Sequence, residues 1–139
     1  IEVKDKLGSI RSDDDMYMDG QKIFIFTLKT VPSTVRSFLE KNNKKIEEID
    51  YFIFHQASEL ILNTITKKLK VPDDKFNRIY KNRGNSGGST VGIALHDAIQ
   101  NGKIKKNSKV LLSAFGVGLS WCHAIYNFKE TIPNSYKID

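Results

Sequence analysis

Three short apolar runs, at residues 23–26, 49–54 and 110–115, punctuate this chain, and the first two are each followed by apolar residues at helical spacing. Runs of that length between polar or turn residues fit strands buried on both faces. Val31, Val35, Phe38 and Leu39 then form one stripe of an amphipathic helix that Thr30 and Pro32 open, with Pro32 in its first turn, and that ends near Asn42 and Asn43. Ala57, Leu60, Ile61, Ile65 and Leu69 form a second stripe, stopped by Pro72. Residues 76–80 fit either a short helix or a strand. Ser89 is placed to N-cap a helix reaching about Asn101, with Gly102 just past its end. After residues 110–115, Gly116-Val117-Gly118 makes a turn, and residues 119–128 alternate as a last strand. Asp19-Gly20 is a turn signal before the first run. Residues 1–16, with Asp13-Asp14-Asp15, read as a polar lead-in, and residues 129–139 as a polar tail. The order β-α-β-α-α-β-β predicts one α/β domain, a sheet covered by helices.

Composition narrows the class of function. The 139 residues suffice for one domain with a buried core, and 40% hydrophobic against 27% charged is globular rather than disordered. No apolar run approaches the roughly 20 residues of a membrane span, and no signal-peptide pattern opens the chain. The start at Ile1, without an initiator methionine, fits a piece of something longer. Cys122, the single cysteine, excludes an internal disulfide and fits a cytoplasmic protein. The net charge of +6 gathers at Lys44-Lys45, at Lys67-Lys68 with Lys70, and at Lys103 with Lys105-Lys106. Solvated helix ends explain such clusters, and an acidic partner, such as a phosphorylated cofactor or an acidic carrier protein, is the alternative. Nucleic acid is not favoured, because no binding motif accompanies the charge.

Two junctions carry candidate chemistry. His55-Gln56-Ala57-Ser58 follows the run at 49–54, at the strand end where α/β sheets bind ligands. A neutral imidazole there can donate to a substrate oxygen or accept a proton near neutral pH, while a core histidine satisfied by backbone is the competing reading. Gly84-Asn85-Ser86-Gly87-Gly88-Ser89 precedes a helix, so small residues allow close approach and the helix start offers free N–H groups. Asn85 is a carboxamide donor without a titrating charge; a glycine-rich turn with a left-handed Asn is its competing reading. Together, His55 and Asn85 can converge on one carbonyl oxygen, which suggests thioester or ketone chemistry. Main-chain N–H groups at Gly116 and Val117 can contribute to an oxyanion hole, or the stretch is a plain glycine hairpin. Cys122 sits in a strand without a cationic neighbour or helix N-terminus to activate it, and His123 points to the opposite face. His96 reads as a surface residue. No metal-ligand spacing or phosphate loop is present.

These pieces resemble the C-terminal half of a 3-oxoacyl-(acyl carrier protein) synthase III, in the thiolase-like superfamily. The resemblance rests on His55-Gln56-Ala57, Lys67-Lys68-Leu69, Gly84-Asn85-Ser86, Gly102-Lys103-Ile104-Lys105 and Phe115 through Trp121, with Asp19-Gly20 and Lys22-Ile23-Phe24 upstream; it covers nearly everything after about Met16. It implies a thiolase-like half with a mixed five-stranded sheet, residues 1–139 forming the C-terminal domain and a cysteine-bearing N-terminal half being absent. It implies an acyltransferase acting in fatty acid or related lipid or polyketide synthesis. By that resemblance acyl-CoA would acylate the missing cysteine, and a malonyl-carrier protein would decarboxylate and attack in a Claisen condensation, with no cofactor, in a homodimer. His55 and Asn85 would hold the malonyl thioester carbonyl and stabilise the enolate. The Val117 N–H would pair with the cysteine's own N–H. Gln56, Ser58, Lys67 and Lys68 would contribute weakly to substrate binding. Without the cysteine this chain should not condense anything alone.

Three departures stand out. Ser58 replaces an Asn usual after His-Gln-Ala, and Leu60 and Ile25 stand where members carry basic residues for carrier docking. Gly87-Gly88 is also smaller than usual. Other readings are a hydroxymethylglutaryl-type synthase, another acyltransferase, or a non-catalytic thiolase-like binding module; the retained His55 and Asn85 argue against the last.

Overall fold

The computed structural model describes residues 3, 4, 8, 10–12, 14 and 18–129. Asp13, Asp15 and the tail from residue 130 therefore lie outside the described residues. Two short strands, β1 (Val3–Lys4) and β2 (Ile10–Arg11), pair antiparallel ahead of the main body.

The long helix α1 (Gly20–Lys41) contradicts the strand expected at residues 23–26. Asp19 does not mark a turn into a strand but caps this helix, its carboxylate accepting the Lys22 N–H at 3.0 Å. The buried side chains Thr27, Val31, Val35 and Leu39 follow one another at four-residue intervals, so the helical stripe begins a full turn before Val31. Pro32 lies inside the helix rather than in its first turn. With no N–H, it cannot serve the carbonyl four residues back, that of Leu28. The Lys68 ammonium serves it instead, donating to the Leu28 oxygen at 2.9 Å.

After a turn of 3₁₀ helix at Ile46–Glu48 comes β3 (Tyr51–Phe54), buried along its whole length. Helix α2 (Glu59–Leu69) follows, ending at Lys70 in the left-handed conformation. Its buried face is Leu62, Ile65, Thr66 and Leu69; Leu60, expected in the stripe, is 62% exposed. Phe76 forms an isolated parallel bridge with Phe52, and α3 (Tyr80–Arg83) is a single turn. Helix α4 (Thr90–Gln100) leads, through Gly102 at positive φ, to β4 (Lys109–Gly116) and β5 (Ser120–Asn127).

The sheet is mixed, in the order β3-β4-β5, with β3 parallel and β5 antiparallel to β4. Among the described residues it has three strands, two fewer than the resemblance implies. Because side chains alternate along a strand, Phe52, Phe54 and Leu111 pack on one face with Val31, Val35 and Leu39 of α1 and Leu62 and Ile65 of α2. Tyr51, Ile53 and Val110 pack on the other with Ala94 and Ala98 of α4. The result is a three-layer α/β/α arrangement in which α4 and the end of β3 meet.

Candidate active site

The site is built around that meeting. His55 follows β3 directly, and its N–H donates to the Ser113 carbonyl at 2.9 Å, so the parallel ladder still holds its backbone. Its half-buried ring lies edge-on to Phe115, 5.2 Å between centroids. Burial holds the imidazole below its ordinary value of 6.5, which keeps it neutral at pH 7. His55 Nδ1 lies 2.5 Å from the hydroxyl of Thr90, the first residue of α4.

Asn85 lies in the exposed loop just before α4. Its side-chain oxygen accepts the Gly87 N–H at 3.0 Å, an Asx turn. That bond occupies the oxygen; the amide hydrogens take no part in it. Positive φ falls on Gly84 and Gly87, on either side, and not on Asn85. Thr90 Oγ1 also lies 3.0 Å from the Gly87 carbonyl, so one hydroxyl ties the imidazole to the loop that carries Asn85. Sequence reasoning passed over Thr90. The available signal was a second hydroxyl residue after Ser89, at the point where the glycine-rich loop enters the helix. Ser89 itself makes no cap bond: it lies in a 3₁₀ turn, Gly87–Ser89, and its hydroxyl donates to the Ser86 carbonyl at 2.8 Å.

The remaining candidates fall elsewhere. Gln56 is fully buried, and its carboxamide is committed to backbone. Nε2 donates to the Phe54 and Asn77 carbonyls at 3.0 and 3.3 Å, and Oε1 accepts from the Ile79 and Tyr80 N–H groups at 2.9 and 3.4 Å. Ser58 caps α2, its hydroxyl accepting the Ile61 N–H at 3.4 Å. Lys67 and Lys68 occupy the last turn of α2, with Lys68 bound to Leu28 as described. Gly116 ends β4, and Val117 is 82% exposed in the turn to β5, its carbonyl accepting the Ser120 hydroxyl at 2.9 Å. Cys122 is exposed on β5 and His96 on α4. Among the described residues no three His, Cys, Asp or Glu side chains group to hold a metal ion, and no helix is long and apolar enough to cross a membrane.

The layered mixed sheet, with a histidine at its strand end facing a glycine-rich helix start, defines a thiolase-like α/β protein. The family model for the C-terminal part of 3-oxoacyl-[acyl-carrier-protein (ACP)] synthase III matches residues 39–128, and the chain belongs to that family. It is 38% identical over 120 residues to a β-ketoacyl-[acyl-carrier-protein] synthase III of Clostridium perfringens, covering 86% of this chain and 37% of the relative. To the corresponding protein of Lactococcus lactis it is 38% identical over 115 residues, covering 81% and 35%. A crystal structure of a 3-oxoacyl-(acyl-carrier-protein) synthase III superposes with a TM-score of 0.87 at 34% identity, over 92% of this chain and 38% of that one. The synthase III structure from Aquifex aeolicus gives 0.74 at 34% identity, over 91% and 39%. The chain thus spans little more than a third of the length of these relatives.

Proposed function

We propose that this chain supplies the acceptor-activating half of an acyl-thioester condensing enzyme of fatty acid or related lipid synthesis, acting in the cytoplasm as a homodimer. The cysteine nucleophile comes from a companion half and takes an acyl group from acyl-CoA. A malonyl-carrier thioester then places its carbonyl oxygen between His55 and Asn85. As the bond to the carboxylate breaks, carbon dioxide leaves and its electron pair moves onto the thioester as an enolate. The two donors stabilise charge that forms only at that stage. The enolate carbon attacks the acyl thioester, the new carbon–carbon bond forms, and the cysteine thiolate departs. The Val117 N–H, with the cysteine's own N–H, receives the oxyanion of this second step. No cofactor enters the scheme.

The observation that supports this reading best is the Thr90 link, which gathers a half-buried, neutral imidazole and the Asn85 loop at one strand end. Cys122, exposed on β5, stands apart from it, so the 139-residue chain alone is expected to release no carbon dioxide by condensation. The test uses a longer enzyme in which this chain is joined to its cysteine-bearing half. His55→Ala and Asn85→Ala each lower malonyl-thioester decarboxylation by about 10²–10³-fold, while intact-mass measurement shows the cysteine still acylated by acyl-CoA. Acylation lost with decarboxylation intact would overturn the assignment.

A further inference from the structure

His123 is a half-buried imidazole that the proposed chemistry leaves unused. It lies mid-strand in β5 and faces α1, its ring 5.7 Å from that of Phe38. Nε2 is 2.9 Å from the Thr34 hydroxyl. That hydroxyl also lies 2.9 and 3.1 Å from the Thr30 and Val31 carbonyls, one turn back in α1. A carbonyl can only accept, so the hydroxyl gives its proton there and takes the ring N–H on a lone pair. Neutral His123 therefore ties β5 to the helix through Nε2. Its other nitrogen, Nδ1, is buried and has no hydrogen-bond partner.

A proton taken up from solvent would have to go to Nδ1, where no counter-charge waits. Ser113 stands directly opposite on β4 and shares the face, but its hydroxyl is uncharged and likewise buried without a partner. The Cys122 carbonyl, next along the strand, is a neutral acceptor too. On α1 the charged side chains Lys22, Lys29, Arg36, Glu40 and Lys41 are all exposed. On β4 the one charged side chain is Lys109, basic and at the far end of the strand. On β5, Cys122 and Tyr126 point to the opposite face. A cation buried without an opposite charge is costly. Burial accordingly holds this imidazole below its ordinary 6.5, and the Cys122 carbonyl offsets that only in part.

We propose that His123 is a pH-sensitive latch between α1 and the edge strand: neutral, it pins β5 to the helix, and on taking a proton it draws the middle of β5 away from α1 toward water. The strand is free to give, because β5 pairs only with β4 among the described residues. A released imidazole binds a proton more readily than the packed one. The latch is therefore fully closed above 6.5 and opens as pH falls from there through the depressed value. Protonation of a histidine at a packed seam is a common way to flip such contacts. The opening also reaches the site, since the Ser113 carbonyl on the adjoining strand accepts the His55 N–H at 2.9 Å.

Trp121, the single tryptophan, lies two residues from the latch and touches Phe26 of α1 at 5.8 Å between ring centroids, so its fluorescence reports the seam. The 139-residue chain is measured at concentrations where sedimentation shows one species. Acrylamide quenching of Trp121 is expected to rise between about pH 7.5 and about pH 5, with its midpoint below 6.5. The rise reaches at most about twofold, because the indole is already 45% exposed. His123→Gln keeps a donor for Thr34 and cannot take a charge, so its quenching stays at the neutral wild-type value throughout. His55→Gln and His96→Gln leave the response in place. A flat response in folded wild type overturns the proposal, as does a rise that survives in His123→Gln. Ring chemical shifts supply a check that needs no destabilising variant: a His123 that titrates at or above 6.5 overturns the latch as well.

Discussion

Gln56 holds four main-chain groups from three segments with one carboxamide: the end of β3, Asn77 beyond the Phe76 bridge, and the entry to α3. A buried backbone donor or acceptor without a partner costs about 1–3 kcal/mol, and Gln56→Ala would orphan several at once. We expect that substitution to destabilise the chain by about 3–4 kcal/mol, measured as a shift in the urea midpoint at unchanged slope. A loss below about 1 kcal/mol would mean the segment holds itself in place without the amide. This residue also marks a limit of reading a motif. In His55-Gln56-Ala57 the neighbouring polar side chains of a strand end point opposite ways, and residue type alone does not say which faces a ligand. His55 was recognisable because an imidazole after four apolar residues has few reasons to be there. Gln56 looked equally chemical, and three of its four backbone partners lie 21 to 24 residues away. Thr90 was invisible for the same reason: its importance comes from contacts 34 and 35 residues distant.

At the scale of elements, β3, α2, α4, β4 and β5 were all legible, from an apolar run, a helical stripe, an alternation or flanking turn and stop residues. Helix α1 was misread at its start for two physical reasons. Ile23, Phe24, Ile25 and Phe26 suit a strand by residue type, and four residues are too few to show a period. Thr27, polar yet buried, interrupts the apolar stripe that would have extended the helix backward, and Pro32 gave a false start signal. The same proline yields a test. A proline inside a helix is costly, about 3 kcal/mol, and here the Lys68 ammonium recovers part of that by bonding the stranded Leu28 carbonyl. Lys68→Met should destabilise the wild-type chain by about 1 kcal/mol and have little effect in a Pro32→Ala background, where Leu28 regains a backbone donor. A double-mutant cycle measures this coupling. Strict additivity would return Lys68 to the role of a free surface charge, available to a carrier protein as the sequence suggested.

At the scale of the whole molecule, the sheet among the described residues is bridged on one side and open on the other. Phe76 bridges the outer side of β3, and α4 covers β3 and β4, whereas β5 ends the sheet with most of its side chains exposed. Trp121 and Tyr126 on the strand, and Val117 and Leu119 before it, are large apolar groups between 45% and 82% exposed. An uncovered edge strand with apolar neighbours is a template for pairing. We expect the 139-residue chain to self-associate at micromolar concentrations, seen as a concentration-dependent rise in sedimentation coefficient. Lysine substitutions at Trp121 and Tyr126 together should return it to a monomer. A dispersed wild-type monomer at all concentrations would contradict this.

The same open edge has a kinetic consequence. A companion half of the kind proposed above that paired along β5 would meet this chain beside a strand rather than through one, and would need no peptide bond to it. Two separately made polypeptides would then behave as a two-input gate, silent singly, with turnover rising as the product of both concentrations until the seam between them is filled.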